Sequence, residues 1–326
     1  MKFDWLLVLP IFLLLIFSFF ILNSISPSIF PAYYWYIGLG VLAFLFFSLF
    51  DFEIVSAFSN YFYVISIVLL IATLIIGQVT RGTVRWIPIG SLSFQPSEMV
   101  RPFLLIFFAD YITQKKLHLK RLVKIIALMG FPLVLILIQP SLGVTALTAI
   151  GFLGLFLASE IDKKYFFFLG LIAVIVIPII FSILAPYQKN RITAFLDPSK
   201  DPQGAGYNAI QAVIAIGSGQ WIGRGLGLGT QSHLRFLPEY YTDFMFATLV
   251  EELGFFGGAI LLFLYTLLLW NIIRPLITNT IVGRLPVIYT IGVFTMLLTQ
   301  IAINSGMNMG ILPITGITLP LVSYGG

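Results

Sequence analysis

Apolar positions in this chain run in long unbroken stretches; they neither alternate nor recur as a one-sided helical stripe. About nine stretches approach the ~20 mostly apolar residues that a helix needs to cross a bilayer. They are residues 5–22, 32–50, 61–77, 97–113, 122–138, 142–159, 165–184, 244–273 and 285–303. The one at 97–113 is short and opens on polar residues. The pattern predicts an all-α, polytopic transmembrane helical bundle, one integral-membrane domain over residues 1–326. The first stretch follows Lys2, exceeds a signal-peptide core in length and lacks a small-x-small cleavage site, so it reads as a retained helix.

Composition agrees. The chain is 59% hydrophobic and 10% charged, with mean hydropathy +1.04, whereas soluble domains carry about 25% charged residues. There is no cysteine, so disulfides and thiolate metal sites are excluded, and His118 and His233 are too few for a histidine cage. No basic soluble face exists for nucleic acid. Charge placement sets direction. Lys115, Lys116, Lys120, Arg121 and Lys124, then Lys163 and Lys164, then Arg274 and Arg284 all fall on one side together with Lys2. The positive-inside rule makes that side, and the N-terminus, cytoplasmic. The outer side receives three polar segments: 78–96, the long loop 185–243 and the re-entrant tail 304–326. Arg81, Arg85, Lys189, Arg191, Lys200, Arg224 and Arg235 lie there, against the topological bias. For the long loop, translocation regardless of charge and an anionic ligand both remain open; for Arg81 and Arg85 the short loop favours the ligand.

Four segments could carry chemistry. In the first, Trp86 beside Arg85 suits a membrane interface. Pro96 and Glu98 suit a first helical turn, and Glu98 and Arg101 share a helix face and can pair. Ionisable residues within a span point to function. The second, Gly217 to Gly229, has no P-loop lysine and no preceding strand, so it is not a nucleotide site. Its glycines suit tight turns and close backbone approach. The third runs from Leu237-Pro238-Glu239 through Thr242-Asp243 to Glu251. Thr242 and Asp243 suit a helix cap, yet Asp243, Ala247 and Glu251 form one stripe, with Glu251 about 12 Å deeper, which points to a polar cavity. The fourth, Asn304 to Gly326, mixes apolar residues with Gly, Pro and Asn, as a broken segment lining a cavity does.

Taken in order, these segments resemble the SEDS family (shape, elongation, division and sporulation). The resemblance rests on Arg85-Trp86-Ile87, Gln95-Pro96-Ser97-Glu98, Asp201-Pro202 with Gly204-Ala205-Gly206-Tyr207, Leu237-Pro238-Glu239, Thr242-Asp243-Phe244, and Leu312-Pro313 through Ser323-Tyr324-Gly325-Gly326. Gly229-Thr230-Gln231-Ser232 is similar to the elongation branch more than the division branch. The resemblance implies a peptidoglycan glycosyltransferase of the bacterial cytoplasmic membrane. Its substrate would be lipid II, a disaccharide-peptide on undecaprenyl pyrophosphate, and its partner a class B penicillin-binding protein transpeptidase. It also implies that Asp243 is the essential aspartate. Three departures stand out. Gln139-Pro140-Ser141 lacks an acid usual in the family, Tyr241 replaces a histidine, and the chain stops at Gly326, before the last of an expected ten spans. The expectation is therefore a C-terminally incomplete domain.

The implied chemistry converts an α-linked sugar pyrophosphate into a β-1,4 bond. One inverting displacement needs a base and no second carboxylate nucleophile. Asp243 is the candidate base. Arg85, Arg101, Arg191 and Arg224, with Glu98 and Glu239, are the candidate substrate-binding residues, and Trp86, Glu251, Ser323 and Tyr324 the candidates for structural or cavity roles. A divalent cation, Mg or Mn, is the alternative stabiliser of the leaving group; no nucleotide is expected. A lipid II flippase and a non-catalytic scaffold are the rival readings. Against the flippase, no internal repeat is visible and the polar elements lie on one side.

Overall fold

The computed structural model describes residues 4–80, 83–90, 92–197 and 204–325. Arg81, Lys200, the Asp201-Pro202 pair and Gly326 lie outside the described residues. The helices are α1 Trp5–Ile25, α2 Phe30–Ser48, α3 Phe52–Ala57, α4 Ser59–Ile76, α5 Pro96–Thr113, α6 Leu119–Ile138, α7 Leu142–Ala158, α8 Lys163–Ile183, α9 Pro186–Leu196, α10 Ala205–Gly219, α11 Thr230–His233, α12 Met245–Ile277 and α13 Arg284–Asn308.

Among the described residues, seven helices are long and apolar enough to cross a membrane, and α7 is a shorter apolar helix. The expected stretch at 97–113 is α5. It carries Glu98, Arg101 and Asp110, so it falls short in apolarity, not in length. Neighbouring helices solve this by covering it: Arg101 and the run from Leu104 to Ala109 are buried. Elsewhere large apolar side chains stay exposed, among them Ile75, Val174 and Phe263, as lipid-facing surfaces require. The protein is a multi-pass membrane protein.

Two features were not expected from the apolar pattern. The strands β1 Gln78–Thr80, β2 Thr83–Ile89 and β3 Leu92–Phe94 form a small antiparallel sheet, in which Gln78 pairs with Trp86 and Ile87 with Phe94. The long polar loop is largely helical, containing α9, α10 and α11.

The chain divides into two compact units. One comprises Met1–Phe47, Pro186–Arg274 and Leu297–Gly326, the other Ser48–Ala185 and Pro275–Met296. The second unit is built on α5, whose Leu104, Leu105 and Phe108 are buried with Ile125, Ile136 and Leu155. There Gly154 lets α7 approach α13 closely: a Cβ on it would lie 2.9 Å from Thr295 Cβ. Small residues at such contacts drive helix association in membranes.

The first unit is organised by a break in α12. Gly254 has φ 70 and ψ −167, a conformation essentially reserved for glycine. The chain around Gly223 inserts at the break. Phe255 and Phe256 donate their N–H groups to the carbonyls of Gln220 (2.8 Å) and Trp221 (3.1 Å), while the carbonyls of Glu251 and Glu252 accept from Arg224 and Gly225 (3.0 Å each). Backbone groups freed at membrane depth are thereby satisfied within the protein.

Candidate active site

Asp243 sits in the turn that leads into α12. Glu239 shapes that turn: its backbone is left-handed, with φ 54, and its carbonyl accepts from the N–H groups of Thr242 and Phe244, each at 3.1 Å. Its carboxylate also accepts from the Thr242 hydroxyl at 3.0 Å.

The turn is held from α13. Asn304 and Asn308 are fully buried, and both donate their amides to the Asp243 carbonyl, at 3.0 and 3.1 Å. Asn308 accepts in return from the Ala247 N–H at 3.0 Å. Asn304 also donates to the Ile317 carbonyl at 2.6 Å, and Gln300 to that of Thr318 at 3.0 Å. Spaced four residues apart, the three amides share one helix face. They clamp both the Asp243 turn and the irregular tail against α13.

The tail brings Gly316 to the aspartate. At φ +69, a Cβ on Gly316 would lie 3.0 Å from Arg191 Nη1 and 3.5 Å from Asp243 Oδ2. The guanidinium from α9 and the carboxylate thus flank bare backbone. Arg191 also lies at a cavity of about 280 Å³ that is otherwise apolar, lined by Phe195 on α9, Ile210 and Val213 on α10, and Leu312 and Ile314 from the tail. A carboxylate, a guanidinium and an apolar groove are therefore contiguous.

The other residues singled out in the sequence fall elsewhere. Arg224 belongs to the same unit; its backbone completes the α12 break and its side chain is exposed. Glu251 does not share an open polar cavity with Asp243. Its buried carboxylate accepts from the Gln231 N–H at 2.7 Å and from the N–H and hydroxyl of Ser232 at 3.2 and 3.0 Å, anchoring α11. Glu252 beside it holds the Gly227 N–H, the Ser24 hydroxyl and His233 Nε2, each at 3.0 Å. Ser323 accepts the Leu319 N–H at 3.0 Å. Tyr324 donates its N–H to the Tyr241 carbonyl at 2.9 Å and packs on the rings of Tyr36 and Tyr241. Burial, reinforced by Tyr36, pushes its phenol above the ordinary tyrosine range.

Arg85, Trp86, Glu98 and Arg101 belong to the other unit. Arg85 donates to the carbonyls of Gln139, at 3.1 Å, and Pro140 at the end of α6, where a helix presents its negative pole. Trp86 lies in β2. Arg101 forms the expected ion pair with Glu98. The departure at Gln139-Pro140-Ser141 keeps a polar role, since the Gln139 amide donates to the Leu70 carbonyl at 3.0 Å.

No group of three or more His, Cys, Asp or Glu side chains that could hold a metal ion occurs among the described residues. The charge beside Asp243 is the Arg191 guanidinium.

The whole chain resembles known proteins. A family model described as cell cycle protein FtsW, RodA and SpoVE matches residues 3–326. A probable peptidoglycan glycosyltransferase FtsW of Nitrosomonas europaea is 40% identical over 83% of this chain and 71% of its own length. The peptidoglycan glycosyltransferase MrdB of Escherichia coli is 39% identical over 84% and 74%. The two identities do not separate the branches. Among solved structures, a chain of a peptidoglycan synthase complex that coordinates polymerization and crosslinking superposes with TM-score 0.83 at 27% identity, covering 100% of this chain and 93% of its own. The rod shape determining protein RodA of Thermus thermophilus shares the fold, with TM-score 0.72 at 24% identity, 100% and 91% covered. The chain belongs to the FtsW, RodA and SpoVE family of cell cycle proteins, the SEDS family.

Proposed function

We propose that this protein is a peptidoglycan glycosyltransferase that polymerises lipid II at the outer face of the bacterial cytoplasmic membrane. The observation that carries the reading is the contiguity of Asp243, Arg191 and the apolar cavity. A lipid-linked sugar pyrophosphate asks for a base, a cation and an apolar surface in that order. Relatives named as peptidoglycan glycosyltransferases support it.

In the reaction, the hydroxyl of one sugar attacks the anomeric carbon of another. Asp243 accepts the hydroxyl proton as the new C–O bond forms, and the bond to pyrophosphate breaks with inversion. Negative charge accumulates on the departing pyrophosphate, and a fixed guanidinium at that point stabilises the transition state. Arg191 supplies it, and the first isoprenoid units of the lipid lie along Phe195, Ile210 and Leu312. A divalent cation, Mg or Mn, is the alternative stabiliser of that charge; loss of polymerisation in EDTA with recovery on adding the metal would give it that role. A class B penicillin-binding protein is the proposed partner, in keeping with the peptidoglycan synthase complex that shares this fold.

The test is Asp243→Asn. As a helix cap, asparagine equals aspartate, so a capping role predicts near-normal activity. As a base, asparagine accepts no proton, and general-base catalysis contributes about 10²–10⁴-fold. Purified variant given lipid II directly should make no glycan strands while remaining folded. Supplying lipid II also removes any need for flipping, so the flippase reading predicts no polymer from the unsubstituted protein either. Wild-type polymerisation by the asparagine variant would sink the assignment.

A further inference from the structure

The end of α5 and the start of α6 enclose a cavity of about 360 Å³ in the second unit, with no part in the site described above. Lys115, Lys120, Arg121 and Lys124 line it together with His118. Tyr111 forms one wall: Arg121 lies over its ring at 5.1 Å and Lys124 at 5.9 Å. Arg121 is further fixed by donating to the Tyr111 carbonyl. Asp110, one turn before Gln114, is already engaged by the Ser59 hydroxyl at 2.8 Å and the Gln114 amide at 3.0 Å. No carboxylate lines the cavity. Topological bias accounts for lysines on this face, but not for four cations converging on one concavity.

A second observation says what kind of anion fits. Along α6, Leu119, Val123, Phe131, Val134 and Ile138 are exposed at 55%, 58%, 48%, 53% and 58%. Their spacing puts them along one face of the helix, an apolar seam that starts at the basic cavity and runs down the span. A soluble phosphate has no use for the seam; a phospholipid uses both parts.

We infer that this cavity is a binding site for the headgroup of an anionic phospholipid, with its phosphate among Lys115, Lys120, Arg121 and Lys124 and its acyl chains against the exposed face of α6. Basic residues at a membrane surface attract anionic lipid, so the site selects phosphatidylglycerol over phosphatidylcholine. The inference is independent of the glycosyl-transfer reading.

The full chain has no cysteine, so Leu119→Cys gives one attachment point for a fluorophore at the junction of cavity and seam. The labelled protein is reconstituted in phosphatidylcholine vesicles with equal mole fractions of either brominated phosphatidylglycerol or brominated phosphatidylcholine. Several-fold stronger quenching by the glycerol lipid is expected. Joint replacement Lys115→Gln, Lys120→Gln and Lys124→Gln should abolish the excess. Removing three cations outside the cavity, by Lys164→Gln, Arg274→Gln and Arg284→Gln, should leave it. Equal quenching of the unsubstituted protein by both lipids overturns the site, whatever the variants do. Loss of the excess in inorganic phosphate at constant ionic strength overturns it as well, in favour of a soluble anion. An excess that survives in the lysine-free cavity reduces it to general surface charge.

Discussion

Four arginines share one charge, but what each already holds separates them. Arg85 donates to two carbonyls at the end of α6, Arg101 is buried against Glu98, Arg224 is exposed beside the α12 break, and Arg191 flanks Gly316 together with Asp243. In the sequence, interest in Arg85 rested on its position in a short polar segment. The structure adds that α9 and the tail meet, which no local pattern announces. Arg191→Ala should therefore lower lipid II polymerisation by about 10²-fold, the size of effect seen when one fixed donor to a developing charge is lost, with little change in melting temperature. Arg191→Lys should recover part of the rate, because an ammonium is a point charge without the planar fork. Arg85→Ala should act the other way, costing about 1.5–3 kcal/mol of stability through lost charged hydrogen bonds. Gel analysis of glycan products beside thermal unfolding in detergent reads both quantities. Full polymerisation by Arg191→Ala would remove it from the mechanism.

At the scale of elements, the central device is the break in α12 and the loop that fills it. Gly254 and Gly223 meet so closely that a Cβ on Gly254 would lie 2.2 Å from the Gly223 nitrogen, and one on Gly223 would lie 2.1 Å from the Glu252 carbonyl oxygen. Gly254→Ala has neither the space nor the backbone conformation it needs; strain alone costs about 1–3 kcal/mol, and displacing the loop exposes the freed backbone groups. Folded yield from membranes should fall steeply, whereas Gly38→Ala, whose Cβ would meet nothing within 4 Å, should be silent. Equal yields of the two variants would mean that the loop tolerates displacement. The glycine run from Gly217 to Gly229 was legible as a site of close backbone approach, because glycine's freedom is a local property. Its partner was not, since the match to α12 depends on packing across the unit. The ladder Gln300, Asn304 and Asn308 did leave a signal: amides every four residues inside an apolar span. Gln300 was read as part of the last span and Asn304 and Asn308 as part of a broken segment, whereas all three lie on α13, and nothing hinted that Asn304 and Asn308 grip the Asp243 carbonyl. The small sheet at 78–94 was missed because its strands are short and its alternation is interrupted by Pro88 and Gly90.

For the whole molecule, the spans were readable because lipid exposure writes itself into composition, stretch by stretch. The weakest stretch is the instructive one: α5 is charged and buried, so its signal depends on neighbours. Topology is an argument about the entire chain, since one missed span reverses everything after it. Charge gives the expectation that the N-terminus, the loop after α5 and the loops around Glu160 and Asn279 are cytoplasmic, with the sheet, the α9–α11 region and the tail outside. Arg85 of the sheet reaches the α6–α7 turn, and Arg284 reaches Glu160 at 3.1 Å; each contact joins elements that the span count puts on one side, and either orientation of the bundle would satisfy it. In the other unit Arg191, Asp243 and Gly316 lie together. Single cysteines at exposed positions of this cysteine-free chain test the assignment with a membrane-impermeant maleimide on intact cells. Leu226→Cys and Met309→Cys should label in whole cells; Lys116→Cys, Glu160→Cys and Asn279→Cys should label only after permeabilisation. Labelling of Lys116 together with Leu226 in intact cells would mean that an odd number of crossings, not an even one, had been miscounted between them. It would put the basic cavity of α5 and α6 on the same face as Asp243, and the positive-inside assignment would fall with it.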